Sequence, residues 1–460
     1  MAVGKVNGKP AAQNGKAAAD VDDRVVMEFG GPIGTFLLMV FSHVTVYYIW
    51  ICLEYYGGSF VHPTSWNDVG PFARRMWAHV VEGATPTWSA AAIYFGFLGL
   101  QALLAVTMPG IDVKGLPIAS EGGRQLVYRC NGVASWYATL AIVAALHYYG
   151  VFSLSQVLDQ FGPIMSVAAI ASDAISVLAY VSAVATGNAT RMSGNVVYDI
   201  FMGAWLNPRI GTFDLKFWGE LRVAWIMLFL LTASAAVKQY ETLGYIGYPM
   251  VFMLLAHGLY TNACMKGEEC VPTTWDLFYE KWGWMLIFWN FCGVPFVYCA
   301  QARYIHLHGI VSHGNAAFTA ALFATLLIAY YIWDTAQSQR NRFRMMLRGT
   351  YVKRYTFPQL PWGTLEFPTY LRCDNGGTLL TDGWWRFARK IHYTMDIIMA
   401  LTWGLDCGTD HFLPYFYVAF FTVMIIHRYF RDAHRCAEKY GADWERYCKL
   451  VPYIFIPFVF

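Results

Sequence analysis

PIGTFLLMVFSHVTVYYIWICL, residues 32–53, runs its whole length without a Lys, Arg, Asp or Glu. About 20 apolar residues in a row suffice to cross the hydrocarbon core of a bilayer as a helix, and a water-soluble domain has no use for such a run. The rest of the chain repeats the pattern. Hydrophobic residues make up 57% of it and charged residues 14%, against roughly 25% charged in soluble domains. The sequence therefore predicts an all-α, polytopic integral membrane protein. About ten transmembrane helices are expected, centred near Val40, Gly96, Ile142, Ile170, Leu230, Leu254, Phe288, Phe323, Ala400 and Phe420. The ninth, MDIIMALTWGLDCG, is short and interrupted, and lipid tolerates broken backbone only where protein covers it. Trp and Tyr gather at span ends, as in VYYIWICLEYY (46–56) and IAYYIWD (328–334), where they anchor in the interface.

Ten spans put both termini on one side of the membrane. Of the 33 Lys and Arg residues, all but Arg74, Arg75, Lys238 and Arg303 then share that side, which the positive-inside rule makes the cytosol. Residues 1–30 lack the apolar core of a signal peptide, and their Ala, Gly, Lys and Asp bias reads as a disordered cytosolic tail. The ten cysteines include no CxxC pair, and most lie in or beside apolar runs, where thiols pack as small hydrophobes. The twelve histidines include no HExxH or clustered pair to seat zinc or a di-iron centre, so no metal is expected. No GxGxxG occurs either, which excludes a dinucleotide on a Rossmann unit.

Polar chemistry gathers in three places: RMSGNVVYDIFMGAWLNPR (191–209), the carboxylates Glu268, Glu269, Asp276 and Glu280 between two apolar helices, and the last third of the chain. Carboxylates at membrane depth are functional candidates by default, although they also serve as helix caps facing water. In SQRNRFRMMLRG, Arg340 and Arg344 are four apart and share a helix face, a spacing that can grip a phosphate through planar guanidinium forks. The same cluster serves equally as anionic-lipid contact. Further on, HRYFRDAHRCAEKYGADWERYC (427–448), drawn as one helix, puts Asp432, Cys436, Lys439, Tyr440, Asp443 and Tyr447 within an arc of about 100°. Acid, amine, thiol and phenols on one face suit a polar ligand, or a solvated surface helix.

LNPR at 206–209, TTWDLFYEKWGWMLIFWN at 273–290, GWWRFARKIHY at 383–393, LPYFY at 413–417 and RDAHRCAEKYGADWERYCKLVPY at 431–453 together resemble the sterol reductase family, which includes C-14 sterol reductase, the lamin B receptor and 7-dehydrocholesterol reductase. EFGGPIG from residue 28, FGPIMSVAAI and WDTAQSQRNRFR resemble its Δ24(24(1)) branch, which acts last in ergosterol synthesis. The resemblance runs from residue 28 to the end of the chain. It implies residence in the endoplasmic reticulum membrane, NADPH as hydride donor and a sterol drawn from the bilayer. It gives no role to nucleic acid, and allows association with other sterol-synthesis enzymes. Residues 31–334 would hold spans one to eight with the sterol pocket, and 335–460 the last two spans with the cofactor segments. Carried over by position, the NADPH contacts fall on Arg340, Arg344, Leu380, Trp385, His392, Tyr393, Asp432, Cys436, Lys439, Tyr440 and Tyr447. Arg340 stands where many relatives have Lys, His392 where they have Asn, and Trp205 where they have Glu.

An isolated alkene must gain cationic character before it accepts hydride, so an acid that stays protonated near neutral pH is needed. Asp432, Glu268 and Asp276 are the candidates, with Tyr260 or Tyr298 as relays. Three other readings follow different chemistry: reduction of the sterol nucleus at Δ14 or Δ7, a membrane S-adenosylmethionine methyltransferase suggested by the YGADWERYCKLVPY ending, and a non-catalytic sterol-binding protein.

Overall fold

The computed structural model describes residues 3–5, 27–118, 121–353 and 356–459. The tail expected at residues 1–30 lies almost wholly outside the described residues. Every expected span centre falls inside a helix. Among the described residues, seven helices are long and apolar enough to cross a membrane: Gly31–Tyr56, Trp88–Thr107, Phe161–Ala185, Leu215–Leu243, Trp284–Leu307, Ala316–Arg348 and Leu413–Tyr440. The other three expected spans coincide with Gly132–Tyr148 (17 residues), Tyr248–Lys266 (19 residues) and Ile391–Leu405 (15 residues). The first and last of these are short of the length that crosses unaided, so the seven long helices establish a polytopic protein without fixing the number at ten.

Local signals explain where the first helix begins and ends. Gly30 takes a positive φ of 75°, Pro32 stands in the first turn, and Gly57 closes the helix with φ 59° and a bond from its N–H to the Cys52 carbonyl. Glycine bears a left-handed backbone without a Cβ penalty, and Pro costs nothing where no intrahelical donor is needed.

The chain divides into two compact units. One comprises Asp20–Gly314 with Cys407–Pro414, the other Met1–Ala19, Asn315–Asp406 and Tyr415–Phe460. In the first, the span Leu215–Leu243 carries a π-helical turn at Gly219–Val223 and the span Trp284–Leu307 another at Trp289–Gly293. The two turns pack together: Trp218 meets Phe291 edge-on at 5.6 Å, and a Cβ on Gly219 would come within 2.7 Å of the Phe291 ring.

In the second unit the 33-residue helix Ala316–Arg348 is far longer than a bilayer requires, and its last turns carry the Arg-rich sequence beyond the apolar part. A two-stranded hairpin pairs Tyr370 with Leu380, Leu371 with Leu379 and Arg372 with Thr378. Tyr370 and Leu380 bury there against Phe343 and Trp385. The C-terminal strip clamps the start of helix Ile391–Leu405: Arg389 N donates to Tyr453 O (2.9 Å), Lys390 N to Ile454 O (2.8 Å) and Thr394 Oγ1 to Phe455 O (2.7 Å).

Candidate functional site

The second unit places most of the expected cofactor residues around one another. The Arg340 guanidinium lies over the Trp385 ring at 4.5 Å. Trp385 is held by its Nε1, which donates to the Ala336 carbonyl at 2.8 Å, one turn before Arg340 on the same helix. Its neighbour Trp384 is fixed twice on that helix, Nε1 to Thr335 Oγ1 (2.9 Å) and backbone N to Gln339 Oε1 (2.9 Å). The 3₁₀ turn Gly383–Arg386 is thus bolted onto the long helix, and the cation–π contact is held in place.

From this anchor the site grows by charge and ring contact. The charges of Arg344 and Asp432 and the phenols of Tyr393 and Tyr447 all act on Arg340. The His392 ring sits 4.9 Å from Trp385 and 4.3 Å from Tyr393. Lys390 pairs with Asp432 and lies 5.5 Å from the Tyr393 ring. Cys436 feels Asp432, Lys390, Lys439 and Arg344. Leu380 closes the apolar side beside Trp385. Tyr440 stacks against the hairpin turn, where a Cβ on Gly377 would meet its ring at 2.6 Å, and Lys439 lies 5.2 Å from that ring. Buried beside Leu371 and Val451, Tyr447 has its phenol pushed up by burial and keeps its proton across the physiological range. The Cys373 thiol, pushed up to about 11 by burial, is inert in the same range.

Arg340, Arg344, Lys390, Arg428 and Lys439 gather here around one carboxylate, Asp432. Such a surplus suits a polyanion. Among the described residues His392 Nδ1 has no hydrogen-bond partner although its residue is 3% exposed. A buried ring nitrogen left unmade costs about 1–3 kcal/mol, a penalty that a ligand atom removes. Cations for phosphates, a stacked Trp–Arg pair and an orphaned buried nitrogen fit a phosphorylated dinucleotide.

The single-helix drawing of residues 427–448 fails beyond Tyr440. Gly441 adopts φ 50° and ψ −126° and separates helix Phe416–Tyr440 from helix Ala442–Leu450. Asp443 consequently leaves the polar face: it accepts from Asp374 N (2.7 Å) and Arg446 Nη1 (3.0 Å) and ties the hairpin turn. Lys390, Arg389 and Arg428 were not singled out from the sequence. The signal was there in GWWRFARKIHY, where Arg389 and Lys390 follow two tryptophans.

The expected acid and its relays divide between the units. Asp432 lies in the second unit, ion-paired with Lys390; a carboxylate in that company anchors cations and is poorly placed to give up a proton. The others lie in the first unit. Glu268, 1% exposed, holds Arg222 at 2.6 Å and accepts the Gly132 N–H at 2.6 Å, so it serves as a buried counter-ion. Asp276 offers its carbonyl to the Lys216 ammonium at 2.6 Å. Tyr260 packs on Trp225 at 4.7 Å, and the Tyr298 hydroxyl accepts from Trp289 Nε1 at 3.0 Å.

Residues 23–460 match the model of the Ergosterol biosynthesis ERG4/ERG24 family. A Δ24(24(1))-sterol reductase of Gibberella zeae is 44% identical over 95% of this chain and 74% of its own length. The Δ24(24(1))-sterol reductase erg4A of Aspergillus fumigatus is 44% identical over 96% of this chain and 94% of its own. A Δ14-sterol reductase of Dictyostelium discoideum is 37% identical over 94% and 91%.

Proposed function

The chain belongs to the Ergosterol biosynthesis ERG4/ERG24 family of sterol reductases, and on that premise we propose that it reduces the Δ24(24(1)) double bond of a sterol side chain with NADPH, as the last step of ergosterol synthesis. The observation that supports the cofactor most is the cationic ring of Arg340, Arg344 and Lys390 beside the orphaned His392 Nδ1. The observation that supports the substrate is the 44% identity to two proteins of that name, against 37% for the Δ14 reductase.

NADPH, when bound, supplies the hydride. The protein's part is binding and order. Arg340 and Arg344 take the phosphates as planar, permanently charged forks, with Trp385 holding Arg340 in place. His392 Nδ1 and Tyr393 would meet a polar edge of the cofactor, and Cys436, Lys439, Tyr440 and Tyr447 would close the wall. Asp432 keeps Lys390 oriented. On the sterol, protonation of the exocyclic methylene leaves a tertiary cation at C24, and hydride at C24 completes the reduction. Of the three candidate acids, Glu268 and Asp432 are each paired with a cation, company that favours the ionised carboxylate over a proton donor. The working location is the endoplasmic reticulum membrane with both termini cytosolic, sterol entering from the bilayer, and neighbouring sterol-synthesis enzymes are the natural associates.

The test is sterol profiling of membranes containing the protein, given NADPH and a mixture of Δ14, Δ7 and Δ24(28) sterols. Selective loss of the Δ24(28) species is expected. Selective loss of a nuclear alkene would move the chain to another branch.

A further inference from the structure

His43 is the thirteenth of 26 residues in helix Gly31–Tyr56, and Asp173 the thirteenth of 25 in helix Phe161–Ala185. Both thus lie halfway along helices that cross the membrane, and Asp173 is the one charged side chain of its helix. His43 Nε2 is 3.1 Å from Asp173 Oδ2 and His43 Nδ1 is 2.9 Å from the Met39 carbonyl. Trp284 Nε1 donates to the other carboxylate oxygen at 2.7 Å. The imidazole lies 4.5 Å from the Phe288 ring and 5.7 Å from that of Trp284. Tyr47, one turn on from His43, donates its hydroxyl to Ser166 at 2.7 Å, so a second polar layer joins the same two helices.

Counting donors decides how many protons the pair holds. A carbonyl only accepts, so Nδ1 carries a hydrogen directed at Met39. Nε2 then faces a carboxylate oxygen. Were Nε2 bare and Asp173 ionised, two lone pairs would oppose each other across 3.1 Å. A second proton therefore sits between Nε2 and Oδ2, and the pair as a whole is neutral, which an apolar surround demands. Polar pairs between membrane helices often act only as packing glue. This one keeps an open side, 30% of the His43 side chain and 47% of the Asp173 side chain being exposed. A sterol in a bilayer rests its hydroxyl at the headgroups and points its alkyl side chain at the midplane, so the side-chain alkene reaches the depth of this proton.

We propose that the His43–Asp173 pair is the proton donor of the reduction. The inference rests on the chain being a side-chain sterol reductase. The alkene π electrons take the proton from the Nε2–Oδ2 bond, a C–H bond forms at the methylene carbon, and C24 becomes cationic. A hydride from a dihydronicotinamide, which is oxidised in giving it, forms the second C–H bond, and the pair regains its proton from water.

The test uses the purified full chain with a Δ24(28) sterol and NADPH. His43→Gln and Asp173→Asn should each lower kcat by at least about 100-fold, the lower end of general acid catalysis, while KM for NADPH and thermal protection by NADPH hold. Turnover within a few-fold of the unaltered protein in either variant overturns the proposal, and so does an equal loss of protection and turnover. A readout on the unaltered chain does not depend on how the variants fold: with ¹⁵N-histidine, a far-downfield proton coupled to His43 Nε2 is expected, and its absence overturns the shared proton. If the unaltered chain reduces a nuclear alkene and leaves the side chain untouched, the substrate reading falls, and the pair falls with it as acid for that alkene.

Discussion

One charge group in each unit makes a contrast. In the first, Arg222 and Glu268 are 2% and 1% exposed and form a closed group: Arg222 Nε and Nη2 meet Glu268 Oε1 at 3.1 and 2.6 Å, Nη1 meets Ser135 Oγ at 3.1 Å, and Glu268 Oε2 takes the Gly132 N–H at 2.6 Å. In the second, five cations surround one carboxylate, and a buried imidazole nitrogen is left without a partner. The first group is complete as it stands. The second carries more cations than carboxylates, a balance that suits an anion. A charge that finds its partner within the fold serves stability, and a surplus of one sign beside a buried, unpartnered ring nitrogen suits a ligand.

That contrast is broken most severely at Glu268. Glu268→Ala strands a buried guanidinium, and losing one partner of a buried pair costs about 3–5 kcal/mol; chemical unfolding in detergent should show the loss, with NADPH and sterol turnover failing only as the fold does. Arg340→Ala should do the reverse. Removing one charge-assisted contact of about 1.5–3 kcal/mol weakens NADPH roughly 10- to 100-fold by titration, with unfolding little changed. The residual binding should be less sensitive to salt than in the unaltered protein, because exposed charges are screened.

Lys281 sharpens the comparison by pH. Burial, with Arg191 nearby, pulls its ammonium down to about 8 from 10.5, and it is held by the Thr190 and Arg191 carbonyls at 3.2 and 2.8 Å. Between these values the unfolded chain binds more protons than the folded one, so stability should rise with pH from about 8 to 10.5. Unfolding followed across that range should lose the rise in Lys281→Met. The smallest effect is expected at Lys390→Met. Asp432 is 44% exposed as a side chain, so the pair contributes at most about 1 kcal/mol to the fold; unfolding should shift by no more than that, with a modest fall in NADPH affinity.

How much of this was legible depended on the kind of pattern. The apolar runs placed all ten helix centres, and the Arg340–Arg344 spacing placed both cations on one face. The drawing of residues 427–448 as one helix held only to Tyr440, because Gly441 breaks it, so Asp443 turned out to tie a hairpin. Asp432 and Glu268 looked alike as candidate acids; only their partners, Lys390 and Arg222, distinguish an anchor from a buried counter-ion. In the sequence His43 and Asp173 stand in separate apolar runs. They are 130 residues apart in sequence, and no periodicity within either helix could pair them.

The sequence by itself determined a helical membrane protein, its family resemblance and the residue types of its candidate cofactor surface, since hydrophobic run length, helical spacing and motif all act over short stretches of chain. Only the tertiary structure decided which charges are spent on one another and which are kept for a ligand, because an ion pair or an orphaned donor is defined by what another helix brings within about 3 Å.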